Sequence, residues 1–378
     1  MFTIKELTQA VGCDITPRMV RHYHDIGLLP QPARSPSNYR LYGDSDVQFL
    51  QQIVALKQQG FQLSHIQQLL SPPTKATPIN EQLQRQYQSV LSQIIKLRHT
   101  ATALEGMIGR DRACQSTPAD ALAHLQTQTA PTQTAPTQTT VQTQTVQALT
   151  DALWQHLDAS TAHHPEDFQE SLQQLLPDLS QRPEIEADVI SHLVLACGDV
   201  SLSAFMRFSP HAVTAAREHL TRGCKIIGDI PAVVALFDQA RLTHLRCESV
   251  AFLNDPHIDN ATAAEQAFWQ NDTWLNRLDD LIDNNIWVIG YSPSVLMKLC
   301  ERVEKGARPA LIIGLPLGFS HAPATKRRLV QLSGSSSNGT PHITSEGSFG
   351  GGLLAAVALN RLAASLIERP DCHCHLGR

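Results

Sequence analysis

Near one end of the chain, two thiols alternate with two imidazoles: Cys372, His373, Cys374 and His375 in RPDCHCHLGR. Thiolate and imidazole are good ligands for late divalent metal ions. Successive side chains of an extended segment point to opposite sides, so a mononuclear site would use at most three of the four. The pattern predicts a metal-binding tail over residues 369–378. The alternative is a tail that is rich in Cys and His without binding a metal.

Four other cysteines lie in apolar stretches such as LVLACGDV: Cys197, Cys224, Cys247 and Cys300. Eight cysteines in 378 residues do not suggest a disulfide framework. Unpaired cysteine is also among the most buried residue types. We therefore predict packed core thiols at these four positions, and we assign Cys13 to packing as well.

The composition limits the class of protein. The net charge is −5, and 42% of the residues are hydrophobic. This acidic balance argues against a protein that coats nucleic acid through bulk charge, although a small DNA-reading module needs only local positive charge. No N-terminal signal is present, and no apolar run approaches the ~20 residues of a membrane span. We expect a cytoplasmic protein without a membrane partner.

A Thr/Gln/Pro-rich segment divides the chain. The stretch from Leu125 to Gln147 carries no charge and repeats TQTAP. Polar low-complexity sequence of this kind buries too little apolar surface to offset the entropy of the chain. We predict a linker over residues 116–150.

The N-terminal part begins with two short helical patterns. Thr3 is a suitable cap for a first helix that ends at Gly12, and Thr16-Pro17 begins a second helix. Further along, apolar residues recur alternately four and three positions apart, as in a coiled coil, and such a seam needs a partner. We predict a dimerisation helix over residues 76–115 in a two-fold homodimer. The seam residues are Leu83, Tyr87, Val90, Ile94, Leu97, Ala101, Leu104 and Ile108.

Three continuous apolar runs mark the C-terminal part: residues 225–230, 286–291 and 310–319. Strands that are buried on both faces and alternate with helices imply a parallel α/β sheet. Loops at the carboxyl ends of such strands are where a ligand would bind.

The stretch TPRMVRHYHDIGLLPQPARSPSNYRLYGDSDVQFL has a local excess of arginine, which supplies bidentate donors for phosphates and base edges. Together with the heptad helix, it resembles the DNA-binding region of MerR-type transcriptional regulators. The resemblance implies a winged helix-turn-helix domain over residues 1–75 that binds double-stranded promoter DNA. The alternative is a small helical domain with a solvated basic face. The positions that match DNA-binding residues of the family are Arg18, Arg21, Tyr23, Arg34, Tyr39, Arg40 and Tyr42.

Three further positions are informative in this comparison. His22 stands where an aromatic residue is usual, and Asn38 where glycine is common. Cys114 follows the heptad helix, where metal-sensing members of the family place a ligand. The resemblance therefore adds Cys114 to the candidate metal ligands, the alternative being an incidental thiol at a helix end.

The C-terminal part resembles precorrin isomerase (precorrin-8X methylmutase), which moves a methyl group around a corrin-type macrocycle. The matching stretches are VLACGDV, FSPHAV, GCKIIGDIPAVV, IGYSPSVL, PALIIGLPLGF and the glycines before AAVALNRL. The resemblance implies a domain of this type over residues 151–368. Asp229 and Lys326 become candidates for a tetrapyrrole cleft; the alternatives are a strand-end cap and a surface charge.

Several positions depart from the enzyme's pattern. Leu195 stands where the family has its catalytic histidine, and leucine has no proton to exchange. Ala263, Ser348 and Phe349 stand where the family has cations for a carboxylate-rich substrate. We therefore predict that this domain is not an enzyme.

Together these patterns predict a multidomain chain. It has an N-terminal all-α winged helix-turn-helix, an antiparallel coiled-coil dimerisation helix and a C-terminal α/β parallel-sheet domain of precorrin isomerase type. The fusion resembles cobalt-responsive MerR-type activators. That resemblance implies a homodimer that binds Co(II), distorts promoter DNA for RNA polymerase and switches on cobalt efflux. Ligand type alone leaves Ni(II) and Zn(II) open. The alternatives are a regulator that responds to a corrin precursor and a working isomerase.

Overall fold

The computed structural model describes residues 1–12, 15–36, 38–58, 60–70, 79–108, 151, 165–270, 273–334 and 339–367. The chain divides into two compact units, Met1–Leu104 and Glu105–Arg378, and each is considered by itself. The predicted linker and tail, together with Cys13 and Cys114, lie outside the described residues. No helix within the described ranges is long and apolar enough to cross a membrane.

The first helix begins and ends, and the second helix begins, where the sequence predicts. Helix α1, Ile4–Val11, has a capping box: the Glu6 N–H donates to the Thr3 hydroxyl, and the Thr3 N–H donates to the Glu6 carboxylate at 2.7 Å. Gly12, with φ of 65°, ends this helix. Helix α2, Pro17–Asp25, is capped by the hydroxyl of Thr16.

A short hairpin interrupts the helices of the N-terminal unit. Strands β1, Ala33–Arg34, and β2, Arg40–Leu41, pair antiparallel. The hairpin shows that the prediction of an all-α domain is wrong. Strands of two residues leave no periodic signal in a sequence, so the pattern could not indicate them. Helices α3, Asp44–Gln58, and α4, Leu63–Leu70, follow and pack on a core that includes Leu7 and Leu50.

Helix α5, Ile79–Ile108, contains the heptad seam. Thirty residues correspond to about 45 Å of helix. Seven of its eight seam side chains are exposed in the single chain, with Tyr87 at 66% and Leu97 at 69%, and Ala101 is half-buried. The structure confirms a helix over residues 79–108 of the predicted 76–115, while its pairing with a second copy stays a prediction.

The C-terminal unit is built on a six-stranded sheet in the order β3-β8-β7-β6-β4-β5. Five strands are parallel, and β3 pairs antiparallel with β8 at one edge, so the purely parallel sheet that we predict is wrong at β3. An antiparallel edge strand is common in such sheets. The strands are β3 Met206–Phe208, β4 Ile226–Gly228, β5 Ser249–Ala251, β6 Ile286–Ile289, β7 Leu311–Gly314 and β8 His342–Ser345. The helices are α6 Phe168–Leu175, α7 Glu184–Cys197, α8 Leu202–Phe205, α9 Ala212–Arg222, α10 Pro231–Val234, α11 Gln239–His244, α12 Ala261–Gln270, α13 Thr273–Leu281, α14 Pro293–Glu304, α15 His321–Gly334 and α16 Gly352–Ile367.

The cysteines of this unit differ in burial. Cys247 and Cys300 are buried as predicted, and Cys224 is half-buried. The prediction is wrong for Cys197, which is exposed. Cys197 is the last residue of α7, and Gly198 then turns the chain with φ of 66°, so the thiol lies at a helix end on the surface.

The exposed seam of α5 predicts self-association that a single charge would weaken. In Leu97→Glu, each copy would place an unpaired carboxylate in the seam. Burying two such charges should weaken the dimer by more than ~1.4 kcal/mol. A change of that size corresponds to a factor of ten, so the dissociation constant of the dimer should rise more than tenfold. Sedimentation of the full chain measures this constant. Ser92→Glu, on the opposite side of the helix, is the control. Equal effects of the two variants on the dissociation constant would contradict self-association through the seam.

Candidate functional site

Helix α2 presents its basic side chains outward. Arg18 and Arg21 are exposed and lie three residues apart, which places them on one face of the helix. His22, the departure from the usual aromatic residue, is exposed as well. The exposed guanidinium groups can donate bidentate hydrogen bonds to phosphates or base edges, as a DNA-reading helix requires.

Two predicted DNA contacts are wrong, because their side chains form the core. Tyr23 is 1% exposed and packs in the same cluster as Leu7 and Leu50. Tyr42 is completely buried, and this burial raises the pKa of its phenol. Neither ring can reach a nucleic acid bound at the surface of this unit.

The buried Tyr42 has a positioning role instead. Its hydroxyl lies 3.1 Å from Nε2 of His24, whose Nδ1 lies 3.2 Å from the carbonyl oxygen of Leu29. A carbonyl only accepts, so Nδ1 donates to Leu29, and Nε2 shares the other hydrogen bond with the Tyr42 hydroxyl. The backbone of Tyr42 also pairs with Phe2. These contacts hold the end of the hairpin against α2. No pattern in the sequence pointed to His24.

The hairpin carries the remaining candidates. Tyr39 is 71% exposed, Arg34 is exposed and Arg40 is half-buried. Arg34 donates to the Asn38 side chain at 2.6 Å. Asn38 has φ of 64°, a left-handed conformation that asparagine tolerates better than most residues, which explains glycine at this position in the family.

In the C-terminal unit, Asp229 lies where the strand order reverses. From β4 the chain continues to β5 on one side and then crosses to β6 on the other, and ligands of open α/β sheets bind at such a point. One Asp229 oxygen accepts from the N–H groups of Gly290, Tyr291 and Ser292 at 3.1, 2.6 and 2.8 Å. The other accepts from Ile230 at 3.1 Å. These bonds make Asp229 a cap that joins the ends of β4 and β6.

The surroundings of Asp229 affect its charge in opposite directions. Complete burial raises the pKa of this carboxyl to about 6, while the amide hydrogen bonds favour the charged form. A neighbouring acid, Glu265 on α12, was not predicted. It accepts from the hydroxyls of Ser292 and Ser294 at 2.7 and 2.6 Å, and Trp269 donates to Ser294 at 3.0 Å. Both acids thus organise the loop after β6.

The alternative interpretation of Lys326 as a surface charge is wrong, because the side chain is only 1% exposed. Its ammonium donates to the Ser345 hydroxyl at 3.1 Å and to the carbonyl oxygens of Gly347 and Phe349. Burial lowers the pKa of this lysine to about 8. It lines a cavity of 380 Å³ beside Arg207 and other side chains.

The structure does not bring the two predicted cleft residues together. Lys326 binds the segment after β8, whereas Asp229 binds the segment after β6. Strands β4 and β8 are three strand spacings apart, about 14 Å. Asp229 is also not among the residues that line the Lys326 cavity.

Apolar side chains occupy three of the positions that the sequence comparison predicts to depart from the enzyme's pattern. Leu195 on α7 is 42% exposed and borders a second cavity, of 620 Å³, together with His192. The ring of Phe349 stacks on Phe205 with centroids 5.1 Å apart. Ala263 is half-buried. None of these three side chains can exchange a proton or hold a carboxylate.

The predicted metal ligands are not tested by these contacts. Cys114, Cys372, His373, Cys374 and His375 lie outside the described residues. Within the described ranges, no group of three or more His, Cys, Asp and Glu side chains is placed to hold a metal ion.

Two family models match the chain. The model described as precorrin-8X methylmutase matches residues 168–365, and the one described as MerR HTH family regulatory protein matches residues 2–72.

Individual proteins show the same division. A precorrin-8X methylmutase of Sinorhizobium sp is 35% identical over 187 residues, which are 49% of this chain and 86% of that protein. The HTH-type transcriptional activator TipA of Streptomyces coelicolor is 36% identical over 107 residues, 28% of this chain and 42% of TipA. The crystal structure of a precorrin-8X methylmutase from Thermus thermophilus is 28% identical and covers 52% of this chain and 91% of its own, with a TM-score of 0.45.

The buried Lys326 predicts a specific pH dependence of stability. Its folded pKa of about 8 lies below the usual 10.5, so the unfolded chain binds more protons between these values and stability rises with pH. The unfolding free energy of the wild type, minus that of Lys326→Met, should increase by about 1 kcal/mol from pH 7 to pH 9.

Tryptophan fluorescence during urea denaturation measures this difference, because all four tryptophans lie in the C-terminal part of the chain. Lys305→Met, at an exposed lysine, is the control and should show no such change. If the unfolding free energies of wild type and Lys326→Met differ by the same amount at pH 7 and pH 9, the ammonium is solvated and the prediction is wrong.

Proposed function

The chain belongs to the precorrin-8X methylmutase family over its C-terminal half and has a MerR-type helix-turn-helix domain before it, and we propose that it is a cobalt-sensing transcriptional activator. In this proposal the N-terminal unit binds promoter DNA as a homodimer. The C-terminal domain and the Cys-His tail provide regulation. The response is activation of cobalt efflux.

The arrangement of charge on α2 is the observation that carries the DNA-binding proposal. Arg18 and Arg21 project from the helix, while Tyr23 on the same helix is buried and fixes its orientation. Arg34 and Tyr39 on the hairpin would contact the phosphate backbone. Two copies joined through α5 would present two such helices to a two-fold promoter site.

The donor set of the tail is suitable for Co(II). Cys372, His373, Cys374 and His375 offer thiolate and imidazole, and Cys114 offers a further thiolate beyond α5. Bound Co(II) would link ligands that are far apart in the sequence. Such a link would couple the tail to the dimerisation helix, and a changed helix arrangement would distort the DNA for RNA polymerase.

The methylmutase-like domain would then act as a regulatory rather than a catalytic module. Leu195 cannot serve as a general acid or base, and Phe349 cannot hold a substrate carboxylate. An absorbance assay with the precorrin substrate tests this part of the proposal, and turnover would contradict it.

A second candidate effector is a corrin precursor bound to the C-terminal domain. The cavity beside the buried Lys326 and the half-buried Arg207 favours it, because cations attract carboxylates, while Arg207 also pairs with Glu346 at 2.7 Å. Its volume of 380 Å³ is near the lower end of the ~300–1,000 Å³ of small-molecule sites, which is small for a macrocycle. We therefore rank this effector second to the metal.

DNA binding should depend on Arg21. Arg21→Ala removes one cation of α2, so promoter affinity should fall by ~1–3 kcal/mol if the side chain reads a base. If Arg21 contacts a phosphate, the slope of log affinity against log salt should decrease by about 1. Fluorescence anisotropy at several salt concentrations separates these results. Lys57→Ala, at an exposed lysine outside the candidate set, is the control, and equal losses would contradict the assignment.

An anaerobic titration with Co(II) tests the sensor. Reduced wild type should show thiolate-to-cobalt charge transfer in the near ultraviolet, and Cys372→Ser/Cys374→Ser should lose it. DNA affinity of the double variant should stay unchanged while induction by cobalt is abolished. Identical spectra for the two proteins would exclude the tail as a ligand. Deletion of residues 372–378 with retained induction by a macrocycle would favour the second effector.

A further inference from the structure

Two cysteines lie side by side at the amino ends of adjacent strands. Strands β4 and β5 pair in parallel with Ile226 opposite Ser249. Cys224 and Cys247 each precede these residues by two positions, so the register places them opposite one another. Both strands are short, and β5 is an edge strand of the sheet.

The turns before these cysteines bring the two backbones into contact. Gly223 has φ of 78° and Arg246 has φ of 58°, so each cysteine follows a residue in the left-handed conformation. A Cβ atom at Gly223 would lie only 3.0 Å from the backbone oxygen of Arg246. Arginine rarely adopts this conformation, so the surrounding structure must impose it.

The two thiols are close enough to share a hydrogen bond. The Cys247 thiol also donates to the carbonyl oxygen of Leu220 at 3.4 Å. The shared hydrogen bond raises the pKa of Cys224, as burial does, and lowers the pKa of Cys247. Cys300 differs, because burial raises its pKa to about 12.

Access to the pair is through one of its members. Cys224 is half-buried, whereas Cys247 is 7% exposed. A small reagent can therefore approach the pair, while a bulky one is excluded. Packing alone would not require two thiols at the same register position.

We propose that Cys224 and Cys247 form a redox-active dithiol that hydroperoxides convert to a disulfide. One thiol of the pair gives up its proton and attacks the peroxide as the thiolate, the O–O bond breaks, and the leaving oxygen takes the proton, so the products are a sulfenic acid and an alcohol or water. The sulfur of the other cysteine then attacks the sulfenic sulfur, and the hydroxyl leaves as water with the second thiol proton. Two thiols are oxidised and one peroxide is reduced, and a dithiol reductant reverses the reaction.

The cross-link would attach the edge strand β5 covalently to β4. It would also close the loop that contains α10 and α11. This chemistry does not involve the proposed tail ligands or the DNA-binding arginines, so it stands or falls independently of the proposed function.

Peptide mapping of the full-length protein tests the proposal. Reduced protein is treated with one equivalent of hydrogen peroxide, quenched with iodoacetamide and digested with trypsin. Cleavage after Arg222, Lys225, Arg246 and Arg277 leaves the two thiols in separate peptides, 223–225 and 247–277. We expect a linked species lighter than the sum of the two by two hydrogen atoms, which disappears with dithiothreitol.

Variants and a denatured control make the result specific. Cys224→Ala and Cys247→Ala should each abolish the linked peptide, and Cys300→Ala should retain it. In guanidinium the preference for this pair should disappear. The proposal is overturned if both thiols of folded wild type remain fully alkylated after peroxide, or if Cys224 pairs equally with other cysteines. The wild-type mapping is decisive even if a variant folds poorly.

Discussion

The C-terminal unit depends on one buried carboxylate. Asp229 follows β4, and its oxygens accept four backbone N–H groups, three of which belong to the segment after β6. A buried charge without partners would cost several kcal/mol, so these bonds are needed to keep it in place. Because they join segments on both sides of the point where the strand order reverses, they fix the shape of the crevice there.

Close backbone packing completes this arrangement. A Cβ at Gly290 would lie 2.5 Å from the Cα of Gly352, so the end of β6 and the start of α16 approach as only glycines permit. Neither this contact nor the Asp229 bonds involve the side chains that would perform chemistry. The scaffold of the family can therefore persist even if residues such as Leu195 and Phe349 replace the side chains that the enzyme uses. That separation is consistent with a domain that serves a regulator.

The N-terminal unit has a comparable internal connection. His24 on α2 and Tyr42 after β2 share a buried hydrogen bond, and Tyr23 fills the core beneath the same helix. These aromatic groups position the exposed arginines without touching a ligand. Family resemblance assigned Tyr23 and Tyr42 to DNA, since a sequence motif does not distinguish a residue that binds from one that supports a binding residue.

Local features of the sequence determined much of the fold. The capping residues Thr3 and Thr16 set the starts of α1 and α2, and the continuous apolar runs identified β4, β6 and β7. These signals involve residues that are close in the chain. Strands β1, β3 and β5, of two or three residues, lie outside these runs and were not identified.

Only the tertiary structure decided which polar groups are buried and which residues are neighbours. Lysine is usually a surface residue, yet Lys326 is buried under the segment after β8. Asp229 finds its partners about sixty positions further along the chain, and Cys224 meets Cys247 through strand register. Burial and pairing of this kind depend on segments that fold together from distant parts of the sequence, and no local pattern contains them.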